Sequence, residues 1–311
     1  MKHTPFHQYQ VSQLALGTIQ LGMDYGIANT TGAPAKEEAF SILALARKSG
    51  IHTFDTARTY GQAEKILGDY FAQFPSNGDL IISKFKYDWT PGIHLDTAWK
   101  ATRESVTRSL KELNVRQIPL VLYHKGPQEP IEEVLRIVPA LIDRLKEEGL
   151  IAHGGISLNY SEEAKTLAGH PSFEAIQIPL NIFDQKVIND GTLERLHKAG
   201  KLIFVRSVFL QGLFFRDPLE LTGVLREAIP YLEKLHSLAQ DYHLQIPELA
   251  FAFIRDLKEA DSLVVGAENV SQVRSNLTLL NSAVLPESLR TELKNLALDI
   301  PKPVITPGMW I

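Results

Sequence analysis

Asp55, Tyr60, Lys84 and His124 are the residues of this chain whose types and placement suit chemistry. The strand-like runs 51–54, 80–83 and 119–123 each lead straight into a titratable side chain, respectively Asp55, Lys84 and His124. Tyr60 follows Asp55 on the first of these loops, in Asp55-Thr56-Ala57-Arg58-Thr59-Tyr60-Gly61. If the runs are neighbouring parallel strands, their ends lie roughly 5 Å apart and the four side chains share one rim. A phenol has a reference pKa near 10 and is a poor acid at neutral pH, but a neighbouring ammonium favours its phenolate. Lys84 supplies the ammonium, Asp55 holds it charged and oriented, and His124 is placed to hydrogen-bond a carbonyl oxygen against Tyr60. Such a set polarises and protonates a carbonyl. It contains no hydride source, so a nicotinamide cofactor is implied.

Taken singly, each residue has a plainer role. Asp55 suits a helix N-cap, Tyr60 suits packing, Lys84 beside Lys86 suits a solvated surface, and His124 suits a loop that satisfies backbone groups. Their order along three successive strand ends is what favours the joint reading.

The elements that would position them alternate along the chain. Strands are predicted near 13–16, 51–54, 79–83, 118–123, 151–156, 173–178, 201–206 and 262–265. Helical patterns lie near 36–49, 62–73, 95–113, 131–148, 161–169, 190–199, 226–243 and 270–281, with extra helices near 247–259 and 286–297. Strands that each precede a helix predict a parallel sheet with crossovers, most economically closed as a (β/α)8 TIM barrel. A base followed by Gly at Lys48-Ser49-Gly50 and Lys198-Ala199-Gly200 marks helix ends just before strands. No Pro/Ser-rich linker divides the 311 residues, so 1–311 reads as a single α/β domain. Two irregular stretches, 18–35 and 208–225, fall on the side of the barrel where a site is expected.

Other classes of function find little support. With 44% hydrophobic and 22% charged residues the chain is globular, and a net charge of −4 without a long basic run argues against nucleic acid or a membrane surface as partner. No apolar run reaches the 18 or so residues of a membrane span, and the opening residues lack the core of a signal peptide, so a cytoplasmic protein is the expectation. The absence of Cys excludes disulfides, thiolate metal sites and a Cys nucleophile. His52 and His153 sit within strands and read as core or lumen residues, and no His-Glu-x-x-His supports a metal. The pairs Glu147-Glu148 and Glu162-Glu163 read as solvated helix faces. Neither a Gly-x-Gly-x-x-Gly turn, a P-loop nor a Gly-x-Ser-x-Gly elbow is present.

Asp55, Tyr60, Lys84 and His124 resemble the catalytic tetrad of the aldo-keto reductases in order and spacing, and the likeness extends over nearly the whole chain. Leu16-Gly17-Thr18 resembles the first-strand turn, which implies that Gly17, Thr18 and Asp55 lie beside the nicotinamide ribose. Ser157, after Gly155-Ile156, and Gln177, in Gln177-Ile178-Pro179-Leu180-Asn181, are implied to hold the carboxamide. Leu158 stands where the family has Asn, so only Ser157 of that pair is carried over. Arg206-Ser207-Val208-Phe209-Leu210-Gln211-Gly212 is similar to the loop that wraps the pyrophosphate, with Ser207, Leu210 and Gly212 as implied contacts. Gly266, Gln272 and Asn276 match the pattern that grips the adenosine phosphate end, where a helix N-terminus suits an anion. Glu268 and Asn269 occupy places that are basic in many NADP-preferring relatives, and a carboxylate at Glu268 suits a free ribose 2′-OH. The family favours NADP(H), with NAD(H) possible. The resemblance implies reduction of an aldehyde or ketone, or oxidation of the alcohol, on small-molecule substrates; a nucleotide-binding regulatory barrel with little turnover is the alternative. Substrate choice would rest on loops at Met23-Asp24-Tyr25, Tyr87-Asp88-Trp89 and Pro307-Gly308-Met309-Trp310, with Trp310 either a binding or a packing residue.

Overall fold

A computed structural model describes residues 1–26, 29, 32–75 and 78–310, so part of the irregular stretch 18–35 lies outside the described residues. The chain opens with an antiparallel hairpin, β1 (His3–Phe6) and β2 (Tyr9–Ser12). Eight strands then close a parallel barrel: β3 (Leu14–Gly17), β4 (Thr53–Asp55), β5 (Leu80–Phe85), β6 (Ile118–His124), β7 (Ile151–Ser157), β8 (Ala175–Pro179), β9 (Leu202–Arg206) and β10 (Ser262–Gly266). Strand β10 pairs with both β3 and β9, which completes the ring. The eight strands expected from sequence are all present, within about two residues at each end.

Alternation along the strands divides the core in two. One set of side chains, including Phe54, Ile81, Val121, Ile176 and Ile203, points outward and packs beneath helices such as Lys36–Lys48 and Ile131–Glu147. The other set fills the lumen: Leu80 and Ile82, Leu120 and Leu122, Ala175, and Leu202 and Phe204, with Val264 packed against them. Val11, Phe6 and Tyr9 of the hairpin belong to this inner cluster, so the hairpin plugs the barrel floor. The hairpin was not expected from sequence because its strands are four residues each, and His7, in the left-handed region at φ 50°, replaces the Asn-Gly signal of tight turns.

Three helices depart from expectation. The pattern at 161–169 forms only a 3-10 turn, Ser161–Thr166. Residues 190–199 begin a new helix at Thr192, because Gly191 at φ 73° interrupts what precedes it. The stretch 226–243 starts as a 3-10 turn, Gly223–Ala228, and becomes α-helical at Ile229, where Pro230 occupies the first turn. Among the described residues no helix is long and apolar enough to cross a membrane.

Candidate active site

The period of two that puts Ile82 and Leu122 in the lumen also puts Lys84 and His124 there, one step nearer the mouth. Asp55, Ser157 and Gln177 reach the same layer from β4, β7 and β8, with Ser157 in register with both His124 and Gln177. The side chains are joined into one chain of hydrogen bonds. Ser157 Oγ donates to Gln177 Oε1 at 2.8 Å, and Gln177 Nε2 donates to Asp55 Oδ1 at 2.8 Å. Lys84 Nζ then donates to Asp55 Oδ1 and Oδ2 at 2.8 and 2.7 Å, to the Thr56 carbonyl at 3.0 Å, and to Tyr60 OH at 3.3 Å. Lys84 is only 2% exposed. Burial alone would strip its proton, but the Asp55 carboxylate and Tyr60 outweigh that and hold its pKa above the ordinary lysine value. The solvated role open to Lys84 in the sequence is excluded.

Tyr60 is held by two glycines. Gly61 adopts φ +56°, and a Cβ there would stand 2.2 Å from the Gly22 carbonyl oxygen. A Cβ on Gly22 would stand 2.0 Å from the carbonyl oxygen of Tyr60 itself. The two backbones therefore touch where any side chain would separate them, and Gln62 N–H donates to the Gly22 carbonyl at 3.1 Å. This lock directs the Tyr60 ring edge-on to His124, centroids 6.1 Å apart. Burial, then the charges of Lys84, Arg206 and Lys86, push the His124 pKa down to about 3, so its imidazole is neutral. Sequence reasoning missed Gly22, whose partners lie 38 and 39 positions away.

Asp55, Tyr60 and His124 line a cavity of about 720 Å³, with Lys84 buried behind Asp55 and Tyr60. Of the residues implied to bind a cofactor, Gly17, Thr18, Asp55, Ser207, Gly212, Gly266, Glu268, Gln272 and Asn276 line it. Ser157 and Gln177 lie just beneath, supporting Asp55, and Leu210 packs in the core. The loop after β9 is strained: Ser207, Leu210 and Gln211 stand at φ 64°, 45° and 52°, which non-glycine residues hold only where the surroundings impose it. Gln211 Nε2 donates to Tyr25 OH at 2.9 Å, tying this loop to the one after β3.

At the far end, Gln272 Oε1 accepts from Glu268 N–H at 2.8 Å and Asn276 Nδ2 donates to the Gly266 carbonyl at 3.2 Å. The N-terminus of the helix Val270–Leu280 is satisfied by side chains: Asn269 accepts from Gln272 N–H at 2.9 Å, and Glu38 accepts from Val270 N–H at 3.0 Å. Glu38 is a second carboxylate here that the sequence did not single out, 232 positions away. Arg274, on the same helix, is exposed. The lining fits a dinucleotide at one independent point. Gln20 Oε1 is buried without a hydrogen-bond partner, against Gly266, where a Cβ would stand 2.1 Å from it. An amide oxygen left unpaired in a polar cavity is an acceptor awaiting a donor.

Two outlying readings are corrected. Glu162 and Glu163 are not a merely solvated face: Glu163 pairs with the buried Lys125 at 2.7 Å, and Glu162 pairs with Lys186 and Lys302. His153 does lie in the lumen, in register with Leu120 at the floor and bonded to Glu174 at 2.9 Å, but His52, bonded to Asp79 at 2.9 Å, is substantially exposed. Trp310 Nε1 donates to the Pro303 and Val304 carbonyls at 3.1 and 3.0 Å, which pins the tail while Pro307, Gly308 and Met309 line the cavity.

A closed parallel barrel with a Tyr, Lys, Asp and His at its mouth, facing a cavity large enough for a dinucleotide, defines a class of barrel oxidoreductase. The model of the Aldo/keto reductase family matches residues 13–297, and the chain belongs to that family. It is 24% identical over 294 residues to an uncharacterized oxidoreductase, YqkF, of Bacillus subtilis (strain 168), covering 89% of this chain and 90% of that one. It is 24% identical over 305 residues to the NADH-specific methylglyoxal reductase of Escherichia coli (strain K12), covering 87% and 90%. The fold is similar to that of aldo-keto reductase AKR11C1 from Bacillus halodurans in its holo form, with a TM-score of 0.77, 21% identity, and coverage of 98% and 99%.

Proposed function

We propose that this protein is an NAD(P)H-dependent oxidoreductase that reduces an aldehyde or ketone to an alcohol, or runs the reverse, with Tyr60 as general acid and base. The observation that carries the reading is Lys84 Nζ, charged and buried, 3.3 Å from Tyr60 OH while both Asp55 oxygens hold it in place. In the reduction direction Tyr60 gives its proton to the carbonyl oxygen, and Lys84 stabilises the negative charge left on the phenolic oxygen. His124, neutral and edge-on to Tyr60, donates a hydrogen bond to the same oxygen and fixes its position. Asp55, steadied by Gln177 and through it Ser157, keeps the ammonium aimed. A nicotinamide held in this cavity would supply or accept the hydride.

Gly17, Thr18, Gln20, Ser207, Gly212, Gly266, Gln272 and Asn276 would hold the dinucleotide. Family membership favours NADP(H), whereas Glu268 on the lining and Glu38 behind it favour NAD(H), in line with the NADH-specific Escherichia coli relative. Tyr60→Phe tests the central role: it removes the proton donor and little volume. The expected outcome is a rate of carbonyl reduction lower by roughly 10² to 10⁴, with cofactor affinity by fluorescence titration unaltered. Turnover near wild type would overturn the assignment.

A further inference from the structure

The floor of the barrel gathers a second set of titratable side chains, none of which lines the cavity. His7 stands on the turn between β1 and β2, His153 on β7, and Glu174 immediately before β8. His7 Nε2 and His153 Nδ1 each lie 2.9 Å from the same oxygen, Glu174 Oε2. The two imidazoles are stacked, with centroids 3.9 Å apart and planes 16° from parallel, and Phe6 meets both edge-on at centroid distances of 4.7 and 4.9 Å. Glu174 is fixed from both sides. Its N–H donates to the Gly154 carbonyl at 2.9 Å, its carbonyl accepts from Leu202 N–H at 3.0 Å, and Lys146 Nζ donates to Oε1. The last contact occupies Oε1 and leaves Oε2 turned toward the two rings.

Two nitrogens and an oxygen thus meet, all within 4.8 Å of one another. A neutral imidazole that presents an N–H to a carboxylate presents a lone pair instead in its other tautomer. With both rings turned over in this sense, the three atoms become three electron-pair donors facing one point. Two imidazoles and a carboxylate suit Zn²⁺, whereas Ca²⁺ and Mg²⁺ take oxygen ligands. Tetrahedral arms of about 2.0–2.1 Å set ligand atoms about 3.3 Å apart, so each contact need open by only about 0.4 Å. His7 can make that adjustment, since its side chain is 49% exposed on the hairpin turn. Glu174 is already held as a ligating carboxylate usually is, with an outer hydrogen-bond donor on its second oxygen. No spacing motif announces the set, because His7 and Glu174 are 167 positions apart.

We propose that His7, His153 and Glu174 form a Zn²⁺ site, completed by water, that staples the floor hairpin to the barrel at β7 and β8. Such a metal links segments that are separate in the unfolded chain, so its binding favours the folded state. Tag-free protein, stripped with a chelator and titrated with ZnCl2 by isothermal titration calorimetry, should take up one equivalent at this site. Loss of an outer partner already weakens a metal site by about 10- to 100-fold, so loss of a ligand should cost at least that much. His7→Asn tests it, because Asn tolerates the left-handed backbone at φ 50°. Glu174→Gln should weaken uptake as well, while His94→Asn, at an exposed histidine elsewhere, should leave it unchanged. Zn²⁺ should also raise the unfolding temperature of the wild type and leave that of His7→Asn unmoved. Should Glu174→Gln fail to fold by circular dichroism, His7→Asn still decides, its side chain being half in solvent. Absence of stoichiometric uptake by the wild type would overturn the proposal. So would equal affinity in His7→Asn, which would put the zinc on other histidines, or uptake that leaves the unfolding temperature of the wild type unaltered.

Discussion

His124 shows how one side chain's surroundings decide its chemistry. In the unfolded chain its imidazole protonates near pH 6.5, but in the barrel burial and the nearby cations of Lys84, Arg206 and Lys86 delay protonation to about pH 3. Between those values the unfolded chain binds the extra proton, so stability falls as pH falls from about 6.5 toward 3 and is fully kept above 6.5. The slope from this one group is up to about 1.4 kcal/mol per pH unit. Urea titrations at pH 7 and pH 4.5 should therefore show a larger loss for the wild type than for His124→Gln, and parallel losses would refute a depressed pKa. Asp55, Lys84 and His124 were legible as a set because strand alternation and strand ends are local signals. Arg206 carries the same signal at the end of β9, but the resemblance points to Ser207, Leu210 and Gly212 as the pyrophosphate contacts of its segment and passes over its side chain.

At the scale of elements, the turn that carries Tyr60 is shaped by its contact with the turn at Gly22 rather than by its own residues. Gly61→Ala meets both a left-handed backbone and the Gly22 carbonyl, so the Tyr60 turn must move. A shift near 1 Å in a catalytic group is enough to cost about 10² in rate. Gly50→Ala is the matched control: its φ is +88°, yet nothing lies within 4 Å of the added Cβ. Gly50→Ala should lose about 1–2 kcal/mol in a denaturant titration and Gly61→Ala more, since its Cβ also meets a backbone oxygen, but only Gly61→Ala should lose most of its turnover. Equal activities would show that the lock does not position Tyr60. Such a contact joins residues far apart in sequence, and nothing in the spacing of Gly22 and Gly61 announces it. The barrel helices were legible where a long amphipathic pattern runs into a Gly stop, as in Lys36–Lys48 before Gly50 and Ile131–Glu147 before Gly149. They were misread where Gly191 or Pro230 sits inside the pattern and resets the helix start.

Across the whole molecule, the eight-strand order was legible because each strand is followed by its own crossover. The floor hairpin and the carboxylate of Glu38 were not, since each acts on a distant part of the ring. On the proposed reading, Glu38 and Glu268 would bear on cofactor choice together, one at the N-terminus of the helix Val270–Leu280 and one on the lining. Glu268→Arg should improve binding of NADPH relative to NADH by up to roughly 1.5–3 kcal/mol, and by less at high salt. Dissociation constants for both at two ionic strengths check this, and an unchanged ratio would place the preference elsewhere. The plugged floor has a consequence of its own. Below Asp55 and Lys84 lies a packed, mostly apolar column of Leu80, Ile82, Leu120, Leu122 and Phe204, sealed by Val11 and Phe6, while the buried Thr53 and Ser262 beside it are engaged by Ser12. The barrel is thus a blind well with poorly polarisable walls, and the lines of force from the charges at its rim are driven outward through its one opening. Dissolved ions can screen them from that side alone, so the well aims its own charges at whatever enters.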